Sequence, residues 1–522
     1  MKSFTLKHPF SFLVLFLCSA FVQGQVLSSS QIDSLVEKTM KTFDVPGMAV
    51  AVLKDGKIYH KKAYGVRSIK TKAPVNENTL FGVASNTKAF TTAALGQLID
   101  QGKLTWDTKV TDIIPEFQLA DPFVTREFTV RDLVTHRSGL GLGAGDLMIF
   151  PANNSTTKAE MIHNLRYLKP VSSFRSKFDY DNLLYIVAGE VVSRISGKSY
   201  DDYIAENFFK PLQMDRSFLS IPKIKSDPNR IDGHAPVNGK LELTGDTFTQ
   251  IATPAGGIFA SINDMATWVQ AQLNEGRYGE NLKDSLFSKK VHTEMWTPQT
   301  ILRSGRGPYN THFSAYGLGW FLSDVNGYFQ VTHTGGLNGI VSQVTLLPEM
   351  DLGIIVLTNQ QSGAAFSAIT NTLKDGYFGI GDQDRIKQYN ERRLAGEREE
   401  DSLFKAVEQT INNQMKSEAP KPELANFTGT FRDLWFGKVF IKKQDGHLLF
   451  EAEKSKDLVG HMVFYKGTTF VVRWNDRSLK ADAFVNFSLD TEGKAKGFSM
   501  SPISPLTDFS YDYQDLEFVR EQ

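Results

Sequence analysis

The chain changes character near residue 381, and that change limits what it can fold into. Before it, strand-like stretches stand at both ends of a long helical middle. After Glu423 only short strands follow: GTFRDLW, KVFIKK, HLLFEAE, MVFYK, TTFVVRW, AFVNFSL, GFSMSP and LEFVRE, with turns at Asp445-Gly446, Lys466-Gly467 and Glu492-Gly493. Between the two patterns, 381–420 is dense in charge (RIKQYNERRLAGEREEDS) and ends in SEAPKPE, a polar boundary containing proline. At 522 residues the chain exceeds the size of one ordinary domain. The expected organisation is a mixed α/β unit over 25–380, a solvated helical linker over 381–420, and a small β-barrel or sandwich over 421–522, lipocalin-like if it closes.

Within the first unit, IDSLVEKTMKTFD (31–43) carries apolar residues at helical spacing and predicts an amphipathic helix. MAVAVLK (48–54) and KIYHKKAYGV (57–66) flank Asp55-Gly56, which predicts a hairpin. The stretch from about 86 to 100 reads as a buried helix ended by Gly102, and YDNLLYIVAGEVVSRISG (180–197) as another. Strands are expected at 316–324, 328–333, 339–348 and 352–359, with a closing helix near 363–377. Strands first and last with helices between them predict a sheet-bearing lobe, an inserted helical lobe and a cleft between them.

Bulk properties exclude several functions. Lys plus Arg equals Asp plus Glu at 58 each, so no basic excess points to nucleic acid. Lys2 and Lys7 precede an apolar run from Phe10 to Phe21, followed by Val22-Gln23-Gly24. That order predicts a signal peptide over 1–24 and export to the periplasm or the medium, with no stable membrane span after cleavage. Cys18, the single cysteine, lies inside this segment, so no cysteine metal site is expected in the mature chain. There is no His-Glu-x-x-His either, and neither a metal nor a cofactor is called for.

Three short motifs carry chemistry. Ser-x-x-Lys occurs at Ser85/Lys88, Ser155/Lys158, Ser220/Lys223 and Ser402/Lys405. Only Ser85 follows an apolar stretch (TLFGVA) and opens a buried helix, where Lys88 falls on the same face. A lysine buried there loses proton affinity, and its free amine can take the serine proton. Tyr180-Asp181-Asn182 opens the second helix: a phenolate beside a lysine ammonium is stabilised, and the Asn182 amide can both donate and accept. His333-Thr334-Gly335-Gly336 ends a strand, with glycine permitting close approach of a substrate and the Gly336 N–H pairing with that of Ser85 as an oxyanion hole.

In this order and approximate spacing, the three motifs resemble those of the penicillin-binding and β-lactamase-type serine hydrolases. The resemblance is closest to the branch of class C β-lactamases, D-Ala-D-Ala carboxypeptidases, D-aminopeptidases and related esterases. TVRDLVTHRSGL (129–140), KPLQMDRS (210–217), PAGGIFASINDMATW (254–268) and YGLGW (316–320) are similar to it as well. It covers about 30–380 and implies a two-lobe fold with an antiparallel sheet flanked by helices. It further implies Ser85 as nucleophile, Lys88 and Tyr180 as the proton-handling pair, and Asn182, His333, Thr334, Gly335 and Gly336 around the substrate. Where class C β-lactamases carry lysine, this chain has His333, expected to titrate near neutrality and to hold a carboxylate weakly. The expected activity is cleavage of peptide or amide bonds through a Ser85 acyl-enzyme, with peptidoglycan fragments among the candidate substrates. An esterase or β-lactamase using the same steps is the alternative, and an inactive muropeptide-binding homologue the third reading. Trp435, Tyr465 and Trp474 of the terminal unit read as core, and no residue there stands out as catalytic.

Overall fold

The computed structural model of the protein describes residues 25–245, 249–305, 307–418 and 420–521. The expected signal peptide, with Cys18, lies outside the described residues. Among them, no helix is long and apolar enough to cross a membrane.

The first unit is built on one eight-stranded antiparallel sheet. Its strands are β1 (Gly47–Lys54), β2 (Lys57–Gly65), β3 (Thr300–Leu302), β4 (Ser314–Tyr316), β5 (Phe321–Val325), β6 (Tyr328–Leu337), β7 (Ile340–Leu347) and β8 (Leu352–Thr358). The spatial order is β3-β4-β5-β6-β7-β8-β1-β2, so the first hairpin closes beside the last strand. Asp55 and Gly56 turn that hairpin with φ of +52° and +70°, as a two-residue loop requires. β1 is buried on both faces because its side chains alternate. Met48, Val50 and Val52 join one core with helices α1 (Ser29–Phe43) and, later in the chain, Gly363–Phe378. Ala49, Ala51 and Leu53 face the core of the helical lobe.

That lobe is centred on α2 (Thr87–Asp100) and α3 (Asn182–Ser196), both buried over most of their surface. Helices apolar all round belong in the middle of a fold, not on its outside. Gly197, at φ +73°, ends α3 in the left-handed region. The expected strand over 316–324 is instead two strands, β4 and β5, joined by a turn in which Gly317 N–H bonds the Trp320 carbonyl at 2.8 Å. The turn presses on α2. A Cβ on Gly319, which sits at φ +84°, would come within 3.0 Å of the Lys88 carbonyl oxygen.

Beyond α4 (Gly363–Phe378), the charged stretch forms one 32-residue helix, α5 (Arg385–Lys416). Most of it is exposed, its last turn included, and it is anchored at four buried residues, Arg385, Ile386, Val407 and Ile411. Arg385 is clamped on Asp375 of α4 at 2.6 and 2.9 Å. Val407 and Ile411 pack with Val471 and Ile503 of the terminal unit.

The terminal unit is a closed eight-stranded meander in which each strand pairs with the next and the last with the first. Its strands are β9 (Gly429–Asp433), β10 (Gly437–Gln444), β11 (His447–Ala452), β12 (Val459–Lys466), β13 (Thr469–Trp474), β14 (Ala483–Leu489), β15 (Ala495–Pro502) and β16 (Phe518–Arg520). Closure leaves no free edge, which suits so small an all-β unit. Trp435 and Trp474 are buried in its core, and Tyr465 packs beneath α5. The barrel docks on the helical lobe: Asn164 Nδ2 donates to the Trp435 carbonyl at 2.8 Å, and Lys454 pairs with Glu160 at 2.7 Å.

Candidate active site

From Thr79 to Gly96 every residue is buried except Ser85, which alone reaches solvent. The backbone turns sharply just before it. Ala84 sits at φ +49°, in the left-handed region that an alanine avoids by about 1 kcal/mol or more. The turn is held there by the Val83 carbonyl, which accepts from Ser342 Oγ at 2.7 Å and from Asn86 Nδ2 at 3.3 Å. Strand β6 lies directly behind. A Cβ on Gly335 would sit 2.3 Å from the Val83 oxygen, so only glycine lets the strand approach the serine turn.

Lys88, in the first turn of α2 and three residues after Ser85, has its Nζ 3.1 Å from Ser85 Oγ. The same nitrogen bonds Asn182 Oδ1 and the Ala255 carbonyl, both at 2.8 Å. Burial pushes its pKa down to about 7, against the opposing pull of Asp146. A neutral amine has two hydrogens and one lone pair. The two carbonyl-type oxygens take the hydrogens, and the lone pair is left facing the serine hydroxyl.

Asn182 opens α3. Its Nδ2 donates to Asp146 Oδ2 at 2.7 Å, which fixes the amide so that its oxygen, not its nitrogen, meets Lys88. Asp146 is fully buried, and burial raises its pKa to about 7 despite the bonds from Asn182 and Ser510. Tyr180 lines the same cavity as Ser85, and the Lys88 Nζ lies 4.8 Å from its ring centroid. Burial pushes the phenol well above its ordinary value, outweighing the lowering influence of the neighbouring Ser85 hydroxyl. The expected phenolate is therefore corrected: at rest the hydroxyl keeps its proton, because desolvation exceeds any stabilisation by Lys88. His136 stacks on Tyr180 at 4.1 Å between ring centroids, and its Nδ1 accepts from the Asp181 N–H.

The third motif lies inside β6, not at a strand end, and alternates across the sheet. Thr334 and Gly336 are exposed towards the cleft, while His333 and Gly335 are buried. His333 Nδ1 lies 2.7 Å from the Thr334 carbonyl, which fixes Nδ1–H as a donor, and Nε2 accepts from the Tyr316 hydroxyl at 3.1 Å. Burial, assisted by the charge of Lys88, pushes its pKa down to about 3. The expectation of a histidine titrating near neutrality is thus overturned. The ring is neutral, and both its nitrogens are already engaged.

A cavity of about 300 Å³ opens over Ser85. Its floor and walls include Tyr180, Asn182, Thr334 and Gly336, with Ile149, Phe150, Phe178, Phe321 and Leu337 as apolar lining. One wall comes from the barrel: Asp508, Phe509 and Ser510, on the loop between β15 and β16. No Lys or Arg is among the described lining residues. The other Ser-x-x-Lys pairs are elsewhere. Lys158, for example, is tied to Glu190 at 2.5 Å, and Ser155 sits at the barrel interface. No cluster of metal-ligating side chains occurs among the described residues.

Residues 32–376 match the family described as Beta-lactamase. The chain belongs to the β-lactamase family. Residues 413–520 match a second family, a domain of unknown function (DUF3471). Among curated relatives, an unguisins hydrolase of Aspergillus campestris is 27% identical over 76% of this chain and 74% of its own length. The protein flp of Staphylococcus aureus is 28% identical over 64% of each chain, so this chain spans a little under two thirds of that relative. The octameric penicillin-binding protein homologue from Pyrococcus abyssi superposes on 95% of the chain and on 100% of its own, with a TM-score of 0.58 and 20% identity. A class C β-lactamase covers 68% of this chain and 97% of its own, at 0.55 and 21%. These two share the fold.

Within this β-lactamase-family site, Asp146, His136, Tyr316, Phe509 and Ser510 were not legible as functional residues. His136 and Tyr316 do lie in family-like stretches, THRSGL and YGLGW. Asp146 has a weaker signal, an acid inside the otherwise small and apolar GAGDLMIF. Ser510 has none.

Proposed function

We propose that this member of the β-lactamase family hydrolyses amide or peptide bonds through an acyl-enzyme on Ser85. The observation that carries the reading is the Lys88 amine, 3.1 Å from Ser85 Oγ with its two other contacts on carbonyl oxygens. The Ser85 proton passes to Lys88 Nζ as Oγ attacks the substrate carbonyl carbon. The N–H groups of Ser85 and Gly336 receive the oxyanion. The Tyr180 phenol gives its proton to the departing amine and regains one from the Lys88 ammonium. Water then releases the acyl group from Ser85.

The lining supports substrates that enter without a free carboxylate. Such a group would meet Asp508 and a neutral His333, with no cation in the described lining. This favours D-aminopeptidase-like or amide-hydrolysing activity over D-Ala-D-Ala carboxypeptidase activity. The same apolar lining supports ester cleavage as a second reading. Export rests on residues 1–24 alone and is part of the proposal.

The test is turnover of D-aminoacyl amides, D-Ala-D-Ala peptides, nitrocefin and short acyl esters by the full chain, with intact-mass detection of the acyl-enzyme. Ser85→Ala should lose at least ~10⁴-fold in turnover and all covalent labelling by a fluorophosphonate, while its unfolding midpoint stays in place. Labelling retained in Ser85→Ala would sink the reading. A preference for esters of a hundredfold or more would move it to the esterase.

A further inference from the structure

We infer that Ser510, on the barrel loop between β15 and β16, is a positioning residue of the hydrolytic site, holding the Asp146 carboxyl that acts through Asn182 on the proton of Lys88. The inference rests on the Ser85 acyl-enzyme reading above.

Its basis is an unbroken path of buried contacts. Ser510 Oγ donates to Asp146 Oδ2 at 3.0 Å, and that oxygen also accepts from Asn182 Nδ2 at 2.7 Å. Asn182 Oδ1 accepts from Lys88 Nζ at 2.8 Å, and Lys88 meets Ser85 at 3.1 Å. Ser510 is 8% exposed, and Asp146, Asn182 and Lys88 are at least as buried. Charges and hydrogen bonds therefore act here with little solvent screening.

The loop is fixed at several points. The Gly145 N–H donates to Asp512 Oδ2 at 2.6 Å, immediately before Asp146 in the chain. Gly143, at φ +70°, passes beneath the Phe509 carbonyl, where a Cβ would come within 2.6 Å of the oxygen. The Phe509 ring meets Tyr180 edge-on at 5.7 Å, and the Ser510 N–H donates to Asp508 Oδ1 at 2.9 Å. Ser510 is thus held against Asp146 by the docking of the whole barrel.

A carboxylate two bonds away favours the ammonium form of Lys88, and a hydroxyl donating to that carboxylate keeps it ionised. Ser510 thereby raises the pH at which Lys88 becomes a free base. Burial also displaces the other titratable groups facing the pair. It keeps His136 and His333 neutral and Tyr180 and Tyr185 protonated, and it pushes the Asp181 carboxyl, which accepts from Ser138 Oγ at 2.6 Å, well above the usual carboxylate range. Asp512 is pushed up to about 10 by burial and by Asp515. Asp508 lies at the exposed rim.

The experiment is the pH dependence of fluorophosphonate labelling in the full chain. The wild-type rate should rise with pH through an apparent midpoint belonging to the Lys88–Asp146 pair. Ser510→Ala and Asp146→Asn should each move that midpoint down by about half a pH unit or more. The double variant should move no further than Asp146→Asn alone, because both act on one path. Ser510→Thr restores the hydroxyl and the midpoint. Ser510→Cys keeps the volume, weakens the donor and shifts the midpoint part of the way, which covers the case in which alanine unsettles the loop. A rate that falls equally at every pH, with the midpoint unmoved, overturns the inference and leaves the loop a shaping element only. Labelling that persists in Ser85→Ala overturns the underlying reading instead.

Discussion

Lys88 and Lys374 lie on opposite sides of the large sheet, both buried and both pushed down to about 7 by desolvation. Their surroundings differ. Lys88 has two carbonyl-type acceptors and a serine hydroxyl, and that serine opens on a cavity. Lys374 donates to Gln330 Oε1 at 2.8 Å and sits 4.4 Å from the Tyr309 ring centroid, beside the Asp375–Arg385 pair. Among the described residues its amine makes no hydrogen bond to a hydroxyl, and it does not line the cavity over Ser85. A depressed pKa is thus a product of burial, and becomes chemistry only where a proton donor and a substrate path meet it.

Replacing each lysine is the most direct way to break this comparison. Lys88→Met should lower acylation by about 10³–10⁴-fold, while Lys374→Met should leave it within about twofold, measured as labelling rate per folded molecule. An equal loss in both would mean that the two sites are coupled through the sheet. Tyr180→Phe should cost about 10²-fold in turnover of amides, because the leaving amine loses its proton donor, and less with esters of acidic alcohols.

A pH profile sharpens the contrast. Acylation needs the free amine, so its rate should rise with pH through about 7 and fall about tenfold for each unit below that value. Stability should report Lys374 in a smaller way. Its folded pKa lies below that of the unfolded chain, so the unfolded state binds more protons between about pH 7 and the ordinary lysine value near 10.5, and stability rises with pH across that window. Lys374→Met removes this penalty. Thermal unfolding should move up by about 1–3 °C at pH 7, and the gain should vanish well above the ordinary lysine value, where both states are neutral.

What the sequence made legible follows the same division. Local signals were enough for the Asp55-Gly56 hairpin, for the barrel strands between their glycine turns, and for the pairing of Ser85 with Lys88 on one helix face. The stretch over 316–324 misled because its aromatic and apolar residues have strand character, while two glycines bend it onto α2. Tyr180 and His333 were placed in the site, but their proton affinities were misjudged because burial outweighs the neighbouring charge, and burial is a property of the folded whole. Ser510 and Asp146 stand 364 positions apart, and no spacing rule reaches that far.

Helix α5 sets a final condition on this arrangement. One end is fastened to α4 by Arg385, the other to the barrel by Val407 and Ile411, with an exposed span between. Such a strut measures distance and bearing together: one residue added to the span would turn all that follows by about 100° and carry it about 1.5 Å onward. The length of this unreactive segment is therefore as strict a requirement as the identity of the reacting groups, and fusions or chimaeras joined here must keep it intact.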